Sequence, residues 1–146
     1  EFCAGGSLFD VLYNSSVKLE DRQAVKILSD VAAGMNFLHS QRPIILHRDL
    51  KSSNILLMKP VRCGTQVPVA KVADFGLARL CGESDDASMT IGVGTWRWMA
   101  PEVFQGSDSH TYDKQADVYS YGMTMYELGA LKVPFADKYP EDLNDP

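Results

Sequence analysis

The sequence is poor in cysteine, carries no excess of positive charge and has no long apolar run. Cys3, Cys63 and Cys81 are odd in number and show neither C-x-x-C nor Cys/His spacing. That argues against a disulfide framework or a zinc site and for a reducing compartment, which gives a cytoplasmic expectation. A net charge of −5 argues against nucleic-acid binding, which calls for a basic face, and no polybasic membrane patch is present. No apolar stretch approaches the roughly 18 residues that a membrane span needs. Repeats and low-complexity tracts are also missing. The chain opens at Glu1 without an initiator Met, so the lack of a signal peptide carries no weight. What remains is the balance of an ordinary globular domain, with 45% hydrophobic and 23% charged residues in a chain of 146.

The apolar pattern changes along the chain. Ser7 and Asp10, ahead of Val11 and Leu12, form a capping-box pattern that opens a short helix. From about Asp21 to Ser40, residues Ala24, Ile27, Leu28, Val31, Met35 and Leu38 recur at helical spacing and predict an amphipathic helix lying on a core. Ile44 to Leu46 and Ile55 to Leu57 are short strand-like runs that flank the polar stretch His47 to Asn54. A third run, Val67 to Ala73, is interrupted by Pro68 and leads into Asp74. Met58 to Pro68 reads as a long hairpin connection. Leu80 to about Gly94 reads as a mobile acidic loop, and Ala116 to Leu131, apolar nearly all round, as a helix buried at the centre of a domain. Pro134 to Pro146 is loop-like.

The polar stretches carry the chemistry. His47-Arg48-Asp49-Leu50-Lys51-Ser52-Ser53-Asn54 matches H-R-D-L-x-x-x-N, the catalytic-loop signature of protein kinases. Asp74-Phe75-Gly76 and then Ala100-Pro101-Glu102 follow in the family's order. One such triplet arises easily by chance; three in order do not. Phosphoryl transfer requires positioning and charge stabilisation more than covalent help. Asp49 is the candidate to accept or orient the substrate hydroxyl. Asp74 and Asn54 offer the oxygen ligands that hard cations bridging phosphates demand. Lys51, two residues after Asp49, places an ammonium near the transferring phosphate. His47 is expected to pack and hydrogen-bond rather than act as a base, and His39 and His110 to be structural or solvated. Phe75 is expected as a core plug beneath the site.

The whole chain resembles the eukaryotic protein kinases. Glu1-Phe2-Cys3-Ala4-Gly5-Gly6-Ser7-Leu8 is similar to the hinge between the two kinase lobes. The resemblance implies that the backbone of Glu1 and Cys3 bonds adenine, that Ser7 approaches the ribose and that Leu56 forms the adenine floor. The Cys3 side chain reads equally well as an incidental hinge residue or as a reactive thiol. Leu50-Lys51-Ser52-Ser53 resembles serine/threonine enzymes, and Gly94-Thr95-Trp96-Arg97-Trp98-Met99-Ala100-Pro101-Glu102 resembles the tyrosine-kinase-like group, which includes Raf and the mixed-lineage kinases. In that group Thr95 lies at the substrate-binding end of the activation segment, here 74–102, and the two tryptophans read as platform or core residues. Arg48 is placed to pair with a phosphate on that segment, for which Thr90, then Ser88, then Ser84 are candidates. The alternative there is a merely solvated acidic loop. Asp117 resembles the buried aspartate that anchors the catalytic loop; unpaired it would be costly, so it must find N–H partners.

Two departures accompany the likeness. No G-x-G-x-x-G loop, V-A-x-K lysine or partner glutamate occurs ahead of the hinge, and no arginine follows Arg97 to pair with a buried Glu102. The expectation is therefore an α+β, protein-kinase-like fold: a mainly α-helical large lobe with short β hairpins, the small lobe and last helices absent, with 1–146 as a partial kinase domain. The resemblance implies ATP and Mg2+ as ligands and a protein serine or threonine hydroxyl as acceptor, with the isolated fragment not competent. The competing reading is a truncated, non-catalytic kinase-like binding module. Tyrosine or dual specificity is discouraged by Lys51, and oligomeric state is open.

Overall fold

A computed structural model describes residues 1–13, 18–80, 95–104 and 113–139. The elements are α1 (Leu8–Tyr13), α2 (Asp21–His39), β1 (Ile45–Leu46), a 3₁₀ turn (Ser52–Asn54), β2 (Ile55–Leu57), β3 (Ala70–Val72), β4 (Arg79–Leu80), a second 3₁₀ turn (Thr95–Trp98), α3 (Pro101–Phe104) and α4 (Lys114–Ala130). The described portion is thus α+β, with helices dominating and strands confined to two small antiparallel pairs.

Helices α1, α2 and α4 begin where their sequence provides a cap. Ser7 Oγ accepts from Asp10 N at 3.1 Å while Asp10 Oδ2 accepts from Ser7 N at 3.2 Å, so the expected capping box opens α1. At α2 the box is Glu20 with Gln23. Asp113 caps α4 by accepting from Gln115 N at 2.8 Å. Leu131 closes α4 in the left-handed region, φ 50°, where glycine is more usual.

The core lies where α1, α2, α4 and the β2–β3 hairpin meet. Leu8, Ile27, Val31, Leu50, Ile55 and Leu57 are essentially fully buried there. In β2–β3, Ile55 pairs with Val72 and Leu57 with Ala70. The third apolar run becomes a strand only from Ala70, because Pro68 brings no N–H to the ladder. Ala70 N instead reaches back to Asp30 Oδ2 of α2 at 3.1 Å. The chain ahead of α1 lies against β2: Gly5 N donates to Leu57 O and Leu57 N to Gly6 O, both at 2.9 Å. A Cβ at Gly5 would come within 2.5 Å of Lys59 O, and Gly6 takes a φ of 73°, so both glycines are required by the approach.

Two expectations are corrected. α4 is not buried all round: Ala116, Asp117, Ser120, Thr124, Glu127 and Leu128 face inward, whereas Val118, Met125 and Tyr126 are exposed. Its neighbours among the described residues, chiefly α2 and the second 3₁₀ turn, line one side only. Glu102, expected to be buried, is exposed, so it carries no desolvation penalty. No helix of the described residues is long and apolar enough to cross a membrane.

Candidate active site

The loop between β1 and β2 holds the site. Its backbone is constrained from beneath by one carboxylate of α4. Asp117, 1% exposed, accepts from His47 N and Arg48 N, each at 2.9 Å, and meets His39 Nε2 of α2 at 2.8 Å. Arg48 sits at φ 71°, a region that costs a non-glycine residue about 1–3 kcal/mol, and the bond from its own N–H to Asp117 holds it there. The buried carboxylate is thereby satisfied, as expected, and His39 takes a structural part in the same anchor.

His47 is fully buried. Nε2 lies 3.0 Å from Ala73 O and Nδ1 accepts from Asp49 N at 3.3 Å, so the two partners set a neutral ring with the proton on Nε2. This joins the loop to the strand leading into Asp74 and leaves the ring no lone pair for base chemistry.

Asp49, Lys51 and Asn54 converge above this base. Asn54 Nδ2 donates to Asp49 O at 2.8 Å and to Asp49 Oδ2 at 2.9 Å, and Lys51 Nζ stands 3.4 Å from the same Oδ2. Asp49 Oδ1 is buried and accepts no hydrogen bond among the described residues. One carboxylate oxygen is thus held and the other is buried without a partner among the described residues. Burial pushes the Asp49 carboxyl up from the usual range, against the pull of the Lys51 ammonium and the Asn54 hydrogen bond.

A protein-kinase family model, described as the protein kinase domain, matches residues 1–145. The chain belongs to the protein kinase family. This kinase chain is 40% identical over 140 residues to a probable serine/threonine-protein kinase SIS8 of Arabidopsis thaliana, covering 96% of the chain and 12% of the relative. It is 39% identical over 142 residues to serine/threonine-protein kinase CTR1 of the same plant, covering 96% and 16%. Against serine/threonine-protein kinase TNNI3K of Mus musculus it is 41% identical over 140 residues, again 96% and 16%. The chain therefore spans less than a quarter of the length of these relatives.

The kinase-type Asp74-Phe75-Gly76 turn follows β3. Asp74, at φ 61°, accepts from Gly76 N at 3.2 Å and is exposed. Phe75 is not the expected plug. It is 48% exposed and sets its ring against His47, 5.2 Å between centroids, because the described residues cover only that side. The donor set suits Mg2+: with Nδ2 spent on Asp49, the remaining hard donor of Asn54 is its carbonyl oxygen, and Asp74 adds a carboxylate. Mg2+ takes one or two such protein oxygens and draws the rest from phosphates and water.

The hinge-like residues lie along β2. Ser7 bridges to Leu56, which is half-buried and pairs with Lys71 across the hairpin. Ser7 Oγ donates to Asp10 Oδ2 at 2.6 Å, Glu1 pairs with Lys71 at 3.2 Å, and Cys3 Sγ lies 3.6 Å from Met58 Sδ. The structure thus groups Glu1, Cys3, Ser7 and Leu56 on one edge and Asp49, Lys51 and Asn54 in one loop. Thr90, Ser88, Ser84, Cys81 and His110, with the side chain of Thr95, fall outside what is described.

Sequence reasoning passed over two polar groups in the second 3₁₀ turn and α4. Arg97, 1% exposed, donates to Pro134 O at 2.8 Å and to Tyr139 O at 2.7 Å. Trp96 lies beside it, stacked on Phe135 and edge-on to Tyr139, the platform expected of a tryptophan there. Glu127 is fully buried. Its signal was present in the sequence as a second carboxylate, after Asp117, in an otherwise apolar or neutral helical stretch.

Proposed function

We propose that the protein carrying this chain transfers the γ-phosphoryl group of ATP to serine or threonine hydroxyls of protein substrates. Asp49 accepts or orients the acceptor hydroxyl through Oδ1, while Asn54 and Lys51 fix Oδ2 and so aim the carboxylate. Lys51 also supplies positive charge where negative charge gathers on the transferred group. Asn54 and Asp74 are the residues to hold Mg2+, which neutralises phosphate charge when bound. Glu1 and Cys3 through their backbones, Ser7 and Leu56 are the residues to receive the nucleoside. The names of the relatives support serine/threonine acceptors. On this reading, 1–146 forms part of a larger catalytic domain, since these residues contain no glycine-rich phosphate loop and no V-A-x-K lysine.

The observation that carries the reading is the buried, unpartnered Oδ1 of Asp49 beside an oriented Oδ2. The test is a phosphoryl-transfer assay on the full-length protein, with phosphoamino-acid analysis of the product. Asp49→Asn is expected to lower kcat by roughly 10²–10⁴, with phosphoserine or phosphothreonine as product. Full-length protein that binds its substrate but shows no transfer sensitive to Asp49→Asn would instead support a non-catalytic binding module.

A further inference from the structure

Asp117 is not the only carboxylate of α4 beneath the catalytic loop. Ten residues further along, about 15 Å on a helix, Glu127 is fully buried and receives donors from three separate segments. Ser52 Oγ donates to Oε1 at 2.7 Å, Tyr13 OH to Oε1 at 3.2 Å and Trp98 Nε1 to Oε2 at 3.0 Å. Ser52 and Trp98 are themselves buried. A buried carboxylate is tolerated only when its oxygens are satisfied, so each bond is expensive to lose.

The placement of the partners matters. Asp117 grips the loop ahead of Asp49, through His47 N and Arg48 N. Ser52 adjoins Lys51 and opens the 3₁₀ turn that presents Asn54. The two carboxylates of one helix therefore hold the loop on both sides of Asp49. Trp98 lies just ahead of Ala100-Pro101-Glu102, so the same carboxylate also links the loop to the second 3₁₀ turn.

We propose that Glu127 is a positioning residue for phosphoryl transfer, setting Lys51 and Asn54 through Ser52 and coupling them to the segment that carries Trp98. The proposal rests on the kinase reading above. It predicts that a change at Trp98 is felt in the catalytic loop, 46 residues earlier in the chain.

The test uses the full-length protein with Ser52→Ala, Trp98→Phe, Glu127→Gln and the Ser52→Ala/Glu127→Gln double variant. Ser52→Ala should lower kcat about tenfold while KM for ATP stays within about twofold, the mark of lost alignment rather than lost binding. The double variant should be no worse than the more impaired single one, because both break one tie. Losses that multiply, or a lowered melting temperature with kcat unchanged, would overturn the proposal. Hydrogen exchange supplies a readout that does not depend on activity. Trp98→Phe should speed exchange of the amides of Lys51 to Asn54, and unchanged exchange there would equally overturn it. An Asp49→Asn control separates the two ideas: transfer that is absent, or indifferent to Asp49, defeats the kinase reading and leaves the exchange result to decide the coupling.

Discussion

The two aspartates of the site live in opposite surroundings. Asp49 stands in a loop whose backbone is tied to α4, with its own Oδ2 held by Asn54 and Lys51. Asp74 stands in an exposed turn and accepts from Gly76 N within that turn. Burial pushes the Asp49 carboxyl up from its ordinary range. The difference teaches where preorganisation resides. The carboxylate proposed to meet the acceptor hydroxyl is set by the fold, whereas the carboxylate proposed for the metal keeps access to solvent and ligand. Rigid support suits a group that must aim, and openness suits one whose partners include phosphates and water.

Removing the support should have the largest effect. Asp117→Ala strands the buried N–H groups of His47 and Arg48 and leaves His39 without its carboxylate. It should lower unfolding free energy by about 3 kcal/mol or more in urea or thermal melts of the full-length protein. It should also lower kcat by roughly a hundredfold as Asp49 loses its aim. Unchanged melting and activity would dissolve the contrast between the two aspartates.

Asp49→Asn sharpens it from the other side. A carboxyl raised on folding binds its proton more tightly in the native state, so native Asp49 loses stability relative to the unfolded chain as pH rises from its unfolded range through its raised native value. The amide escapes that loss. The variant's stability relative to the parent should therefore climb with pH across that window and level off above it, as measured by paired denaturation curves.

Phe75→Ala should have the smallest effect, about 1 kcal/mol, because half of the ring is already exposed and its contact is with one face of His47. A loss of 3 kcal/mol or more in the same melts would show that Phe75 is the core plug its position in the sequence suggested.

The sequence by itself determined the family, the three longer helices and which polar groups the loop carries. Ser7-Asp10 forms its capping box because capping is local, and α2 appears over Asp21–His39 because its apolar spacing admits one buried face. His47 to Asn54 and Asp74 to Gly76 were legible as motifs because phosphoryl transfer restricts which side chains can stand at those spacings. Only the tertiary structure decided what each group touches. That α4 buries one side and exposes the other depends on which elements pack against it, and that Phe75 is half-exposed depends on what covers it; neither is written in periodicity. Glu127 makes the same point most sharply. Its three partners come from positions 13, 52 and 98. No local spacing can bring those together, and a buried carboxylate becomes intelligible only once the fold has delivered donors to it.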